Sequence, residues 1–438
     1  MKICIGLRRE DKNKWERRVP LIPSHVKELQ RGEHLVSISL QPSVNRIFSD
    51  EDYLQVGASI QEDLFSCPII LAIKEIPISF LQEKKIYMFF SHTIKGQPDN
   101  MPMLKKMMEL QCTLIDYEKI VNEKGQRLVL FGRQAGQAGL IETMWALGRR
   151  LSNLGLDNPF EVLQQAYLYG SLVDAKEAFQ RLGWTIQKKG LDSSIVPAVC
   201  GFAGYGSVSK GAQELFDLLP HEEIAPENIR SLFLNKTFVS NKLYKVVFEE
   251  KHMVVPVSSE NTFKLQDYYD CPEKYKSNFE TYLADLTMLV NCIYWAPQYP
   301  RLVTISSLKK LWTSSRTPRL KVIGDISCDI GGAIECTVRA TIPDNPVFVY
   351  DPLEENAVDG FEGRGMCVMA IDNLPAEISL ESSISFSQSL KSLIPSLASA
   401  DYSKDFEHCT LSPALKKAVI LFKGEFTPDY KYMKKYVR

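Results

Sequence analysis

Short runs of consecutive apolar residues, each followed by a polar or amphipathic stretch, dominate the first 135 residues. That rhythm predicts buried parallel strands alternating with helices and loops, an α/β architecture. The runs are Ile3 to Leu7, Ile69 to Ile73, Ile86 to Phe90, Thr113 to Ile115 and Leu128 to Phe131. Four of them carry polar groups at or just past the carboxyl end: Lys74, then Ser91-His92, then Asp116-Tyr117-Glu118, then Gly132-Arg133. In open α/β sheets the carboxyl edge is where ligands bind, because strand ends and following loops form the crevice there. A single strand-end charge is ordinary loop chemistry, but four in succession, one of them among only six histidines, mark a candidate site.

Residues 135–154 have helical composition, with glycines spaced for a close crossing, and they predict a connector between two lobes. Residues 160–182 predict further helix, and 221–280, polar and Tyr-rich, predict loops and short elements within the second lobe. Between them, Ile195 to Phe202 predicts a buried strand running into Gly204-Tyr205-Gly206-Ser207-Val208-Ser209-Lys210-Gly211 and then a helix. Strand, glycine-rich turn and helix form the context of a dinucleotide-binding turn. Gly204 permits the turn, and Gly206 lets a pyrophosphate approach N–H groups at a helix start. The third glycine of the fingerprint is replaced by Ser209, with Gly211 in position to give the close packing instead. Glu222 and Glu223 stand where an acid would meet an adenosine ribose, and Arg230, Lys236 or Lys242 could hold a 2′-phosphate, so this spacing leaves NAD and NADP both open. Later strands, Leu320 to Ile323 and Met366 to Ile371, end near Asp325 and Asp372, two further candidates for the cofactor crevice.

Composition narrows the function class. The 438 residues are 45% hydrophobic and 24% charged, with 52 basic against 53 acidic groups. Such a chain builds two or three self-sufficient cores at roughly 100–200 residues per domain. The balanced charge argues against a nucleic-acid partner. Ten cysteines stand singly, without a CxxC pair or zinc-ligand spacing, which predicts free buried thiols in a reducing compartment and no metal. No apolar run approaches the roughly 18 residues of a membrane helix. The start of the chain leaves no room for a signal peptide, so a cytoplasmic location is expected, or a mitochondrial one if a presequence has been removed.

Several runs taken together resemble one family: LRREDK at 7–12, WERRVPLIP at 15–23, AIK at 72–74, FFSHTIK at 89–95, LIDYE at 114–118, FGRQAGQAG at 131–139, GYGSVSKGAQ at 204–213, CIYW at 292–295, GDISCDIGGAIE at 324–335 and AIDNLP at 370–375. The sequence is similar to lysine-2-oxoglutarate reductase (lysine-forming saccharopine dehydrogenase), which stands at the front of a bifunctional lysine-degrading enzyme. The wider superfamily includes alanine dehydrogenase and a transhydrogenase subunit. KGEFTPDYKYM near the end looks most like the plant-type form.

The resemblance implies two Rossmann-like lobes with parallel sheets, a substrate lobe of residues 1–134 plus 376–438 and a dinucleotide lobe of 135–375, with the last helices returning to the first lobe. It implies reductive condensation of L-lysine and 2-oxoglutarate with NADPH to give saccharopine, with Lys74 and His92 as acid/base pair, Glu118 tuning them and Arg18 as carboxylate clamp; Arg133, where related sequences vary, is a separate candidate for a substrate carboxylate. Gly204, Tyr205, Gly206, Ser207, Val208, Asp325 and Asp372 are the cofactor set. The dinucleotide turn departs from the Thr-Gly-Thr-Gly-Asn-like run of the plant and animal forms, although both glycines remain. The chain stops at Arg438, before a fused or associated saccharopine-cleaving enzyme would begin. The alternatives are an NAD-linked saccharopine dehydrogenase working toward lysine, an amine dehydrogenase acting on a smaller keto acid, and a catalytically silent dinucleotide sensor.

Overall fold

The computed structural model describes residues 2–32, 36–315 and 317–437. The chain divides into two units, residues 1–131 with 379–438, and residues 132–378. In the first, the strands are β1 (Ile3–Leu7), β2 (Val36–Leu40), β3 (Ser59–Ile60), β4 (Ile69–Leu71), β5 (Ile86–Phe89) and β6 (Thr113–Asp116). Most are almost wholly buried, as the continuous apolar runs require of strands covered on both faces. β1 pairs in parallel with β2 on one side and β4 on the other, and β5 and β6 follow β4 outward.

The second unit opens with the helix Gly132–Asn153 and contains β7 (Val199–Ala203), β8 (His221–Glu223), β9 (Leu243–Phe248), β10 (Val254–Pro256), β11 (Tyr275–Ser277), β12 (Met288–Asn291), β13 (Val322–Asp325), β14 (Val347–Asp351), β15 (Asn356–Asp359) and β16 (Met366–Met369). Its main sheet has the order β15-β14-β16-β13-β12-β7-β9-β8, with β10 and β11 forming a separate pair. The helix Gly132–Asn153 lies against Ser207–Phe216 at backbone contact. A Cβ on Gly136 would stand 1.8 Å from the Val208 carbonyl oxygen, and one on Gly211 would stand 2.1 Å from that of Arg133. Gly211 therefore supplies the close packing that Ser209 could not.

The chain returns to the first unit at Ser379. Helix Ser379–Lys391 lies against the segment before the first helix, where Val19 N–H donates to Ser383 Oγ (3.1 Å) and Ile22 N–H to Ser387 Oγ (3.0 Å). The last strands, β17 (Val419–Phe422) and β18 (Glu425–Phe426), complete the order β18-β17-β6-β5-β4-β1-β2-β3. The expected α/β fold with a returning C-terminal segment is present.

Five expectations need correction. The sheets are not wholly parallel: β17 lies antiparallel to β6, and β14 lies antiparallel to both β16 and β15. Leu128 to Phe131 forms no strand, because the place beside β6 belongs to β17. Residues 160–182 begin with two short 3₁₀ turns, and the α-helix starts only at Leu172 behind the Ser171 cap. Residues 221–280 supply β9, a strand beside β7, whose charged Lys245 hides it in the sequence and is held by Asp217 (2.8 Å) and Glu223 (3.1 Å). Two cysteines are not free: Cys4 on β1 and Cys67 just before β4 form a disulfide, their Cα atoms 4.6 Å apart.

No helix among the described residues is long and apolar enough to cross a membrane. Gly211→Ala is expected to cost about 1–3 kcal/mol by overpacking the helix crossing. A urea-unfolding midpoint unchanged from wild type would contradict the tight crossing.

Candidate functional site

Within the first unit the chain pairs β2 and β3 to one side of β1, then crosses back to lay β4, β5 and β6 on the other. β1 and β4 thus flank the switch point, where loops diverge and leave a crevice at the carboxyl ends. Arg8 leaves β1 with its N–H on the Leu71 carbonyl (2.9 Å). Glu10 reaches across to accept from the N–H groups of Ile73 (2.6 Å) and Lys74 (3.0 Å). Burial, then the charge of Glu16, push the Glu10 carboxyl up to about 7, against those two hydrogen bonds and Arg8.

Lys74 sits just past β4. Burial lowers its pKa, and the neighbouring Arg18 and Lys12 lower it further, against the carboxylates of Glu16 and Glu75. Arg18 is buried, its Nε and Nη2 spanning both oxygens of Glu16 (2.7 and 2.5 Å) and its guanidinium 4.3 Å from the centre of the Phe131 ring.

His92, just past β5, has a left-handed backbone with φ +46°. Its carbonyl accepts from Asn100 Nδ2 (3.1 Å), and its Nδ1 lies 2.5 Å from Glu75 Oε1. Although burial alone would raise Glu75, the His92 hydrogen bond and the charges of His92 and Lys12 bring it down to about 2. A carboxylate is acceptor-only, so His92 Nδ1 donates, and Nε2 is left to give or take a proton.

The strand-end pattern does not single out Glu75, although it adjoins Lys74. Glu118, expected to tune the acid/base pair, instead faces Arg127 at 3.9 Å, its N–H on Asp116 Oδ1 (2.8 Å). The acid in contact with His92 is Glu75.

In the second unit the switch point lies between β7 and β12. Gly204 follows β7 with φ +93°, a conformation that favours glycine, and its N–H bonds the Phe248 carbonyl at the end of β9 (2.9 Å). Gly206 caps the helix Ser207–Phe216 without any side-chain hydrogen bond, and a Cβ there would meet nothing within 4 Å. Uncapped N–H groups facing open space at a helix start, from Gly206, Ser207 and Val208, fit a pyrophosphate. Tyr205 is exposed beside them.

The expected ribose acids are elsewhere. Glu222 and Glu223 lie on the edge strand β8 and pair with Lys242 (2.6 Å) and Lys245 (3.1 Å). The strand next to β7 is β9, and it ends in Glu249-Glu250, where Glu250 accepts from Tyr269 Oη (2.8 Å) and also engages Tyr205. Nothing in the apolar pattern marks that acidic pair, because the pattern does not mark β9 itself.

Other candidates divide. Asp325 is buried and bracketed by Asn291 Nδ2 (2.8 Å) and Thr337 Oγ1 (2.6 Å), and burial lifts it to about 6 despite both bonds. It ties β12 and β13 to the following loop. Asp372 is exposed past β16. Arg133 gives Nε and Nη2 to Glu214 Oε2 (2.8 and 2.6 Å), so a partner within its own unit already holds its carboxylate-binding edge. Tyr294, in the CIYW run, is 78% exposed.

Because the Glu10 carboxyl holds its proton more tightly folded than unfolded, stability falls as pH rises from about 4.5 to about 7. Glu10→Gln is expected to flatten that fall, measured as thermal midpoints across the window. Parallel profiles for the variant and the wild type would contradict it.

Residues 6–138 match the family described as Alanine dehydrogenase/PNT, N-terminal domain. Over 443 residues the chain is 39% identical to an alpha-aminoadipic semialdehyde synthase of Arabidopsis thaliana, covering 98% of this chain and 41% of that protein. Over 447 residues it is 37% identical to the mitochondrial alpha-aminoadipic semialdehyde synthase of Mus musculus, covering 99% and 48%. It is 26% identical to a saccharopine dehydrogenase [NAD(+), L-lysine-forming] of Emericella nidulans, covering 90% and 91%. An L-alanine dehydrogenase of known structure shares the fold with TM-score 0.63, 18% identity and all of both chains covered. The chain thus spans rather less than half the length of the two synthases. The resemblance carried by the sequence motifs holds: the chain is a homologue, over nearly its whole length, of one part of the alpha-aminoadipic semialdehyde synthases, with the alanine dehydrogenase/PNT N-terminal domain at its front.

Proposed function

We propose that this chain is an oxidoreductase that condenses L-lysine with 2-oxoglutarate and reduces the product to saccharopine. The observation that carries the reading is the assembly of Lys74, Glu75 and His92 at the carboxyl edge of the first sheet. It joins an amine of lowered pKa to an imidazole whose Nδ1 is anchored on a carboxylate. The names and extent of the related proteins support the substrate class.

The ε-amine of lysine must be neutral to attack a ketone, and His92 Nε2 is the group to take its proton. The amine nitrogen then bonds to the keto carbon, and the carbonyl oxygen becomes a hydroxyl. Loss of that hydroxyl as water requires a proton on the departing oxygen, which His92 or Lys74 returns. Glu75 holds the imidazole in the needed tautomer, as a carboxylate partner does for histidines generally. Burial, and then the charge of Arg18, let Lys74 release its proton more readily than an ordinary lysine. The chemistry that a reduced nicotinamide would supply here, when bound, is a hydride for the imine carbon, which would give the secondary amine. Gly206, Ser207 and Val208 would hold its pyrophosphate on backbone N–H groups after the turn made by Gly204, with Tyr205 beside them and Asp325 and Asp372 at neighbouring strand ends. The proposed location is cytoplasmic, or mitochondrial as the mouse relative's name has it, and the proposed partner is a saccharopine-cleaving enzyme.

The resemblance carries NADPH as the cofactor. A second reading, NADH, is favoured by Glu249 and Glu250, whose carboxylates at the end of the strand beside the glycine turn suit free ribose hydroxyls and repel a 2′-phosphate.

Nicotinamide oxidation that needs both lysine and 2-oxoglutarate is the expected result, with His92→Ala and Lys74→Ala each lowering kcat by about 10²–10⁴. Turnover without lysine, or variants as fast as wild type, would overturn the reading. The double substitution Glu249→Ser with Glu250→Ser is expected to move the ratio of kcat/KM values toward NADPH by about tenfold, the equivalent of about 1.4 kcal/mol. An unchanged ratio would remove those acids from the ribose site.

A further inference from the structure

The run KGEFTPDYKYM at 423–433 carries part of the family resemblance, yet nothing in the site described so far uses it. The structure places it close to His92. β17 pairs with β6, and β6 pairs with β5, the strand that ends just before His92. After β18 the chain turns at Thr427, whose Oγ1 donates to the Val419 carbonyl (2.6 Å), and runs on as the 3₁₀ segment Pro428–Tyr436. Tyr430 and Met433 are buried and root that segment in the core of the first unit, with Tyr430 Oη donating to the Lys417 carbonyl (2.9 Å).

Two other tyrosines of the segment engage the loop that follows His92. Tyr432 Oη donates to the Ile94 carbonyl (2.8 Å). The Tyr436 ring lies against Gly96, where a Cβ would stand 2.5 Å from ring atoms. Gly96 has φ +72° and closes a turn with its N–H on the Thr93 carbonyl (2.8 Å), so a glycine both makes the turn and lets the ring approach. Tyr432 and Tyr436 are 47% and 36% exposed, so neither is a core residue. What they contribute is the hydrogen bond and the ring contact.

His92 needs support of this kind. Its φ of +46° is a conformation that residues other than glycine keep only where their surroundings hold it. Before it, Ser91 N–H donates to Asp116 Oδ2 (3.1 Å), and the Ser91 and Thr93 hydroxyls bond each other (2.7 Å). Its own carbonyl accepts from Asn100, and its ring is tied through Nδ1 to Glu75. A single hydrogen bond on Nδ1 leaves the ring able to swing when the backbone shifts. Tyr432 and Tyr436 restrain that backbone from the far side of the loop.

We propose that Tyr432 and Tyr436 are positioning residues that brace the loop after His92 and hold its imidazole where it exchanges protons with the substrate. The brace rests on the proposed function for the role of His92, and it adds the end of the chain to the working parts of the site. A ring displaced by about 1 Å transfers protons less efficiently while the substrate contacts remain, so the brace acts on kcat and leaves KM alone.

The test uses the full chain with Tyr432→Phe, which removes one hydroxyl, Tyr436→Ala, which removes one ring, and the two combined. Each is made in the wild type and in His92→Ala. The combined variant is expected to lower kcat about tenfold, with KM for lysine, 2-oxoglutarate and the dinucleotide within about twofold of wild type. Its thermal midpoint is expected to stay close to that of the wild type, because both side chains are largely exposed. In His92→Ala the same pair is expected to have no further effect on kcat, since the group it positions is gone. NMR of ring-labelled histidine supplies a readout free of turnover. Of the six histidines, His92 is identified by the signal lost in His92→Ala, and that signal is expected to move in the combined variant. Tyr432→Phe alone carries the test if the combined variant does not fold.

An unmoved His92 signal or an unchanged kcat overturns the brace. A fall in kcat of equal size in both backgrounds also overturns it, because the segment then acts on the fold at large and not through His92. If the wild type does not turn over lysine with 2-oxoglutarate, the proposed function falls and the His92 signal decides the brace by itself.

Discussion

Parallel pairing makes neighbouring strands end on the same edge of a sheet, and the chemistry of both units depends on that constraint. In the first, the ends of β1, β4, β5 and β6 bring forward Arg8, Lys74, His92 and Asp116, residues far apart in sequence. In the second, the same geometry aligns the glycine turn after β7 with Glu249-Glu250 after β9 and Asn291 at the end of β12. The chain reverses its direction of strand addition beside β1 and beside β7, so each sheet has its loops splayed at one predictable point.

Around the first of these points the structure buries more charge than stability alone would favour. Glu10, Glu16, Arg8 and Arg18 are all buried, and a hydrophobic substitute for such groups is often no less stable. Their cost is limited by pairing: Glu16 against Arg18, and Glu10 on two backbone N–H groups. What they do is set proton affinities. Burial pushes the Glu10 carboxyl up, with Glu16 adding to it, and draws the Lys74 ammonium down, with Arg18 adding to it, while the His92 contact keeps Glu75 ionised. One crevice thereby contains an acid that holds its proton, an amine that releases its own more readily, and a carboxylate acceptor.

The strand ends were legible because a strand covered on both faces needs a continuous apolar run, and the polar residues that follow can only begin where that cover stops. Lys74 and His92 stood out on that ground, and the glycine turn stood out from its strand and helix context. β9 was not legible, since Lys245 interrupts its apolar pattern and is neutralised by Asp217 and Glu223, which only folding brings near. With β9 went the acidic pair at its end, and Glu222 and Glu223 were the nearest acids by spacing. The last strands escaped for a related reason. β17 takes the position beside β6 from a segment more than 300 residues away, so no local pattern could have displaced Leu128 to Phe131.

By itself the sequence determined the fold class, the two sheets, the family motifs and the edge on which polar groups gather, because these follow from local periodicity and short-range turn chemistry. Only the tertiary structure decided which of those groups meet. It gave His92 to Glu75 and not to Glu118, closed Arg18 on Glu16 and Arg133 on Glu214, and joined Cys4 to Cys67. Pairing between charges depends on distances of a few ångströms between elements remote in the chain, and those distances are set by strand register and helix crossing, which the order of residues alone does not express.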